Sequence, residues 1–245
     1  MTTPDPVAIV YNDPGTAYII DKARKAGRSV IDMKLEYEIP DPAIIAAKDV
    51  DKAEHEAWKK EWARFKEAMR SVIVDKSLRT LVWDTGTDLK ALCDLNHYGK
   101  LRGNARIDVA TELNADFARV YWDLYNKRPD LNLVLIHKLN KEYKASSNPS
   151  APGNWTGNYE RKGHKDMGFF VDLTLRFEWD KYLKDFYTQL DDAQSTRFGT
   201  VINGVDLSAC KWYSKSETDP SAFWNLAMAI FPETETTPEY WGVEL

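Results

Sequence analysis

Apolar residues in the first half of the chain alternate between short unbroken runs and longer stripes at helical spacing. Val7-Ala8-Ile9-Val10 is a run with the length of a buried parallel strand. It stops at Asn12-Asp13-Pro14-Gly15, a row of turn formers. The chain resumes as AYIIDKARKA, in which Tyr18, Ile19, Ala23 and Ala26 fall at helical spacing. Alternation within Arg28–Glu38, closed by Pro40 and Pro42, predicts a second strand, so a first strand–helix–strand unit fills residues 7–36. From Asp51 to about Arg70 the chain is heavily charged. Trp58, Trp62, Phe65, Met69 and Val72 form one stripe of an amphipathic helix there, suited to packing on a sheet.

Thr80–Asp84 reads as a third strand ending in an acid. Thr85-Gly86-Thr87-Asp88 then opens a helix through Leu95, with Thr85 and Asp88 spaced as a capping box. After a loop over Gly99–Asp108, a helix over Val109–Tyr125 carries Leu113, Phe117, Val120, Tyr121 and Leu124 on one side. Leu131–His137 is apolar enough to predict a central strand. Lys138–Gly168, rich in Asn, Ser, Pro and Gly, is expected to be a long irregular loop. A strand is expected over Phe169–Phe177, a short helix near Asp180–Gln189 and a hairpin around Ile202–Val205. A helix from Asp219 and Pro220 to Ile230 follows, and residues 232–245 read as an extended tail. With no repeat or linker, the pattern predicts one α/β domain over 1–245, with a mostly parallel central sheet and helices on both faces.

Composition narrows the field. The 245 residues can bury a substantial core, and 43% hydrophobic with 29% charged residues is a globular balance. A net charge of −5 means that nucleic acid would be drawn to a local basic patch and not to the whole surface. Cys93 and Cys210 are far apart, with no C-x-x-C spacing, so neither zinc nor a disulfide framework is indicated, and a cytoplasmic location is expected. No basic, then apolar leader opens the chain, and no run approaches the roughly 20 apolar residues of a membrane span. No membrane partner is expected. The nine Trp are expected mainly as core or interface anchors; among the aromatics of loop and tail, Trp155, Trp212, Tyr240 and Trp241 are candidates for the latter.

Strand, tight turn and helix over Val7–Ile19 form the setting in which a P-loop holds phosphate on backbone N–H groups at a helix N-terminus. Laid on G-x-x-x-x-G-K-[ST], however, Asn12 takes the first Gly, Ala17 the second, Tyr18 the Lys and Ile19 the metal-binding hydroxyl. Only Gly15 and Thr16 keep the look of a phosphate loop; the ammonium and the hydroxyl are gone. Asp84, at the end of its strand, has the form of a Walker B acid, or of a residue that merely caps the next helix.

Taken in order, TLVWDTGTDL (80–89), NLVLIHKLNKEY (132–143), NWTGNYERKGHKDM (154–167) and PEYWG (238–242) resemble the RecA-like, AAA-labelled P-loop ATPases carried by phages and associated with recombination and single-strand annealing. The resemblance implies Asp84 as a vestigial Walker B acid and His137 as a γ-phosphate sensor, with Asn12, Pro14, Gly15, Thr16, Ala17 and Tyr18 as a vestigial nucleotide loop. Each lost charged contact to phosphate is worth roughly 1.5–3 kcal/mol, and phosphoryl transfer rests on positioning and electrostatics, so turnover is not expected. ATP and Mg²⁺ become cofactors only if another lysine, Lys22 or Lys138, rescues the loop. No cofactor and no metal site is otherwise expected.

The segment after His137 carries Lys138, Lys141, Lys144, Arg161, Lys162 and Lys165 against Glu142 and Glu160, with Tyr143, Trp155 and Tyr159 between them. That mixture tracks a single-stranded backbone and stacks bases. It also suits a solvated loop or a loop docked on a protein. The expected function is a catalytically inactive pseudo-ATPase that binds single-stranded DNA in recombination or annealing. The alternatives are a structural virion, tail or filament subunit and an active ATPase with an atypical loop. The expected partners are single-stranded DNA or a phage or host protein, with self-association into a homo-oligomer.

Overall fold

Strand β1 (Val7–Tyr11) is buried along its whole length because a parallel strand flanks it on either side. The computed structural model describes residues 4–37, 52–99, 107–144, 153–161, 171–172, 174–180, 182–183, 185–190, 201–202, 205–207, 210–214, 225–226 and 228. Where the sequence showed no linker, the chain divides near residue 165. One compact unit is residues 4–164, the other residues 165–245 with 1–3, and each is described by itself.

The first unit is built on a four-stranded sheet in the order β2-β1-β3-β4, every pair parallel, with β2 at Val30–Lys34, β3 at Thr80–Asp84 and β4 at Asn132–Ile136. This is a mixed α/β architecture, as expected. The register aligns Tyr11 with Lys34 and Asp84, and Asp84 with Ile136, so all four strands end on one edge. The chain leaves β1 for β2 and returns past β1 to β3. That reversal makes the gap between β1 and β3 the place where α/β sheets hold ligands.

Helix α1 (Pro14–Lys25) covers one face, where Ile20 packs among Val7, Ile9, Tyr11, Val30 and Val82. Helices α2 (Lys52–Val74), α3 (Gly86–Tyr98) and α4 (Ile107–Lys127) pack against one another. The stripe Trp58, Trp62, Phe65, Met69 and Val72 is buried throughout, as is Leu113, Phe117, Val120, Tyr121 and Leu124. Trp83, on the opposite face of β3 from Val82, takes edge-on contacts from Phe65 at 5.5 Å, Phe117 at 6.2 Å and Tyr121 at 6.1 Å, the quadrupole-favoured arrangement. No helix among the described residues is long and apolar enough to cross a membrane.

Two expectations for this unit are overturned. Among the described residues strand β4 lies at the end of the sheet order, not its centre, and Asn132 and Ile136 are exposed. An apolar run reports burial on two faces but not how many neighbours the strand has. The segment after it is not irregular: β5 (Leu139–Lys144) and β6 (Asn154–Arg161) form an antiparallel hairpin. The turn-forming residues that suggested a loop are concentrated between the two strands.

In the second unit, β7 (Leu175–Asp180), β8 (Asp185–Leu190) and β11 (Trp212–Ser214) form an antiparallel sheet in the order β11-β8-β7. Strand β8 replaces the helix expected near 180–189; its Tyr187 faces Tyr213 with ring centroids 5.6 Å apart, a cross-strand pairing that overrides a weak helical pattern. The strand expected over 169–177 is displaced toward Asp180. β9 (Val201–Ile202) and β10 (Val205–Asp206) form the expected hairpin. Leu207 and Leu226 make a small core with Leu175, Cys210 and Trp212, so Trp212 serves packing within its own unit. The expected helix over 219–230 contributes helical residues 225, 226 and 228; its remainder and the tail 232–245, with Tyr240 and Trp241, lie outside the described residues.

Arg128, just past α4, closes the far end of the first unit. Its side chain is wholly buried. The guanidinium donates to the carbonyls of Val72, Asp75 and Leu78 and to the Asp130 carboxylate at 3.0 Å. These carbonyls belong to the end of α2 and the turn into β3, where helix geometry leaves acceptors without intrahelical partners. Arg128→Met orphans three of them together, so urea unfolding is expected to show a loss of about 3 kcal/mol or more, with Arg128→Lys intermediate because one ammonium cannot reproduce the fork.

Candidate functional site

The aligned strand ends and the two helix starts that follow them make the site. Only Asn12 and Asp13 separate β1 from α1. Asp13 is the N-cap, in an extended conformation, and its Oδ1 accepts the Gly15 N–H at 2.7 Å, while Pro14 occupies the first helical turn. The backbone donor that a P-loop would turn toward phosphate is therefore already engaged, and by an anion that would repel one. A turn of two residues also cannot wrap a phosphate as the longer glycine-rich loop does.

Because α1 starts at Pro14, the side chain facing the sheet is Thr16, three residues before the position that the motif alignment gave to the hydroxyl. Thr16 is buried and its Oγ1 donates to Asp84 Oδ2 at 2.6 Å. Ala17 is exposed, Tyr18 is 71% exposed and Ile19 is exposed as well. Asp84 thus meets a hydroxyl from α1, but not the one that the alignment named.

After Asp84, whose peptide bond to Thr85 is cis, α3 begins with Thr85 as N-cap, its side chain accepting the Asp88 N–H at 3.1 Å. That is one half of the expected capping box. The buried Asp88 carboxylate is instead gripped by Lys138 Nζ, at 2.9 Å to each oxygen. Tyr37 donates its hydroxyl to the Asp88 carbonyl at 2.6 Å; burial, reinforced by the nearby Asp88 and Glu61 charges, pushes its pKa far up, so it stays a donor. His137 lies against the start of α3. A Cβ on Gly86 would come within 2.6 Å of its Cε1, and its Nδ1 is 3.4 Å from Thr87 Oγ1, which also accepts the Lys138 N–H at 3.1 Å. Glycine at position 86 is what lets the imidazole sit there.

Between these groups is a shallow cleft of about 130 Å³, mouth included, lined by Asn12, Tyr37, Asp84, Thr85 and Asp88 among others. That is small beside the roughly 300–1,000 Å³ of typical ligand clefts. Neither rescuing lysine stands at the α1 N-terminus. Lys138 is paired with Asp88, and Lys22 is exposed two turns along α1, about 10 Å down the axis from Gly15. The roles of Tyr37 and of the Asp88–Lys138 pair escaped the sequence reading; the only signal, the capping-box spacing at Asp88, pointed to a local bond.

The β5–β6 hairpin gathers several of the residues singled out for nucleic acid. Lys141 Nζ sits 5.1 Å from the Trp155 ring centroid, and Tyr143 pairs with Trp155 across the strands beside a bulge. Trp155 is 50% exposed and Tyr143 slightly more. Lys144 pairs with Asn154, Tyr159 stands opposite Lys141 in register and Arg161 opposite Leu139. Glu142 is turned to Thr156, whose Oγ1 donates to it at 2.6 Å, on the other side of the strand from Lys141 and Tyr143. Lys162 and Lys165 lie outside the described residues.

Replacing Thr16 by Val deletes the bond that joins α1 to the end of β3 and leaves Asp84 without that donor; thermal or urea unfolding is expected to report a loss of roughly 1–3 kcal/mol. Compared with protein-family models and with curated proteins, the chain matches none.

Proposed function

We propose that this chain is a catalytically silent relative of the RecA-like P-loop ATPases of phages and that it works in the host cytoplasm by binding single-stranded DNA in recombination or annealing. The observation that carries the reading is the exposed Lys141–Trp155–Tyr143 array on the β5–β6 hairpin, with Glu142 turned to the opposite side. Aromatic faces stack any base and lysines follow the phosphates, which gives affinity without sequence preference. The silent site is supported by Asp13 on the α1 N-terminus, by Thr16 on Asp84 and by the withdrawal of Lys138 to Asp88. No group among the described residues takes the place of the P-loop lysine.

A second reading, a structural subunit of a virion, tail or filament, is favoured by one feature. Trp122 and Tyr125 on α4 stand exposed with their rings perpendicular, 6.0 Å apart, an arrangement suited to anchoring a protein interface.

Fluorescence anisotropy with a labelled oligothymidylate distinguishes these. On the first reading, binding is tight at low salt and falls steeply as salt rises. Trp155→Ala is then expected to weaken it by roughly 5- to 150-fold, matching the 1–3 kcal/mol of one stacked base. Lys141→Glu is expected to weaken it and flatten the salt dependence. Absence of binding at low salt refutes the reading, and ordered self-assembly without nucleic acid then supports the second. ATP turnover is expected to be absent; phosphate release abolished by Asp84→Ala overturns the silent site.

A further inference from the structure

A separate cluster lies where α2, α3 and α4 meet, away from the strand ends. Cys93 and His97 are four residues apart on α3 and so share one face of it; Asp116 reaches across from α4. Cys93 Sγ, a ring nitrogen of His97 and a carboxylate oxygen of Asp116 all lie within 4.8 Å of one another, with His97 Nε2 and Asp116 Oδ2 3.2 Å apart. The geometry points to a binding site for a borderline-soft divalent cation of the zinc class, held by Cys93, His97 and Asp116.

Sulfur, imidazole and carboxylate are the donors that zinc takes. Bonds of about 2.0–2.3 Å around a tetrahedral centre set ligand atoms roughly 3.3–3.8 Å apart, so the triangle closes on a cation by rotamer adjustment on two rigid helices. The outer layer is already built. Trp62 Nε1 donates to Asp116 Oδ2 at 2.7 Å and Lys66 Nζ stands 3.4 Å from Oδ1, which is how second-sphere donors aim a metal-binding carboxylate. Asp116 is thus held from three sides, by Trp62, Lys66 and His97. Cys93 is buried with its thiol directed at the Leu113 carbonyl. On binding, the S–H bond breaks, a metal–sulfur bond forms and the proton leaves to solvent. The His97 and Asp116 side chains are each 24% exposed, which gives the cation an entry from solvent. The competing state is the metal-free network, in which Asp116 balances Lys66 and bonds His97 directly.

Cobalt(II) is the probe. Titrated into the 245-residue chain, it is expected to bind one equivalent with thiolate-to-cobalt charge transfer in the near ultraviolet, and zinc is expected to displace it and raise the melting temperature. Cys93→Ser is expected to abolish the charge-transfer band, while Cys210→Ser leaves it intact. His97→Gln, which keeps a side chain able to bond Asp116 at a partly exposed position, is expected to weaken binding at least tenfold with an unchanged circular dichroism spectrum, and this decides the matter if the Cys93 variant does not fold. The site is refuted if cobalt gives no charge transfer at stoichiometric concentration, if the band follows Cys210, or if His97→Gln binds as tightly as the parent chain.

Discussion

Arg128 fixes the geometry on which the parallel sheet depends. Its guanidinium is sealed from water, and every direction in which it can donate is met by a carbonyl of α2 or of the turn into β3, or by Asp130. One side chain therefore sets where α2 stops, how the chain enters β3 and how α4 turns toward β4. An ion buried among oriented carbonyls gives a directional constraint that apolar packing lacks, since a hydrophobic contact tolerates sliding and a five-donor fork does not. With the N-terminal ends of β3 and β4 held in this way, the register carries Asp84 level with Tyr11 and Ile136 at the other edge.

At that edge the polar groups face one another. Asp13 caps α1, Thr16 bonds Asp84, Lys138 holds Asp88, and His137 lies on Gly86. Catalytic sites for phosphoryl transfer keep such groups aimed at a substrate, with the charge of a lysine and a metal opposing the phosphates. Here the same kinds of residue bond one another, which stabilises the loop connections and leaves only a small cleft. The exposed chemistry lies instead on the hairpin, where strand alternation separates Lys141 and Tyr143 from Glu142 and lets a chain of net negative charge present a locally cationic, aromatic surface.

The helical layer has its own polar centre. Asp116 joins Trp62 and Lys66 of α2 to His97 of α3, so three helices that otherwise meet through apolar stripes are also fixed in register by one carboxylate. Directional bonds at such a junction select one packing among the several that interdigitating ridges allow. The Cys93 thiol beside it gives the junction the donor set of a cation site.

By itself the sequence determined the local periodicities. The stripes of α2 and α4, the runs of β1 and β3, the turn at Asn12–Gly15 and the cap at Thr85 all follow from spacing over a few residues, which is the range across which side chains on one element share a face. It also showed that Tyr18 and Ile19 lack the ammonium and hydroxyl of a phosphate loop. Only the tertiary structure decided that β4 lies at the sheet edge, that residues 139–161 pair as a hairpin and that β8 is a strand, because each depends on which neighbour a segment meets. The same holds for Thr16 at Asp84, Lys138 at Asp88, Arg128 under α2 and the meeting of Cys93, His97 and Asp116. The contacts between elements join residues 19 to 68 positions apart, and α1 starts at Pro14, three residues before the helical stretch read from Ala17; no pattern read along one element encodes a partner on another.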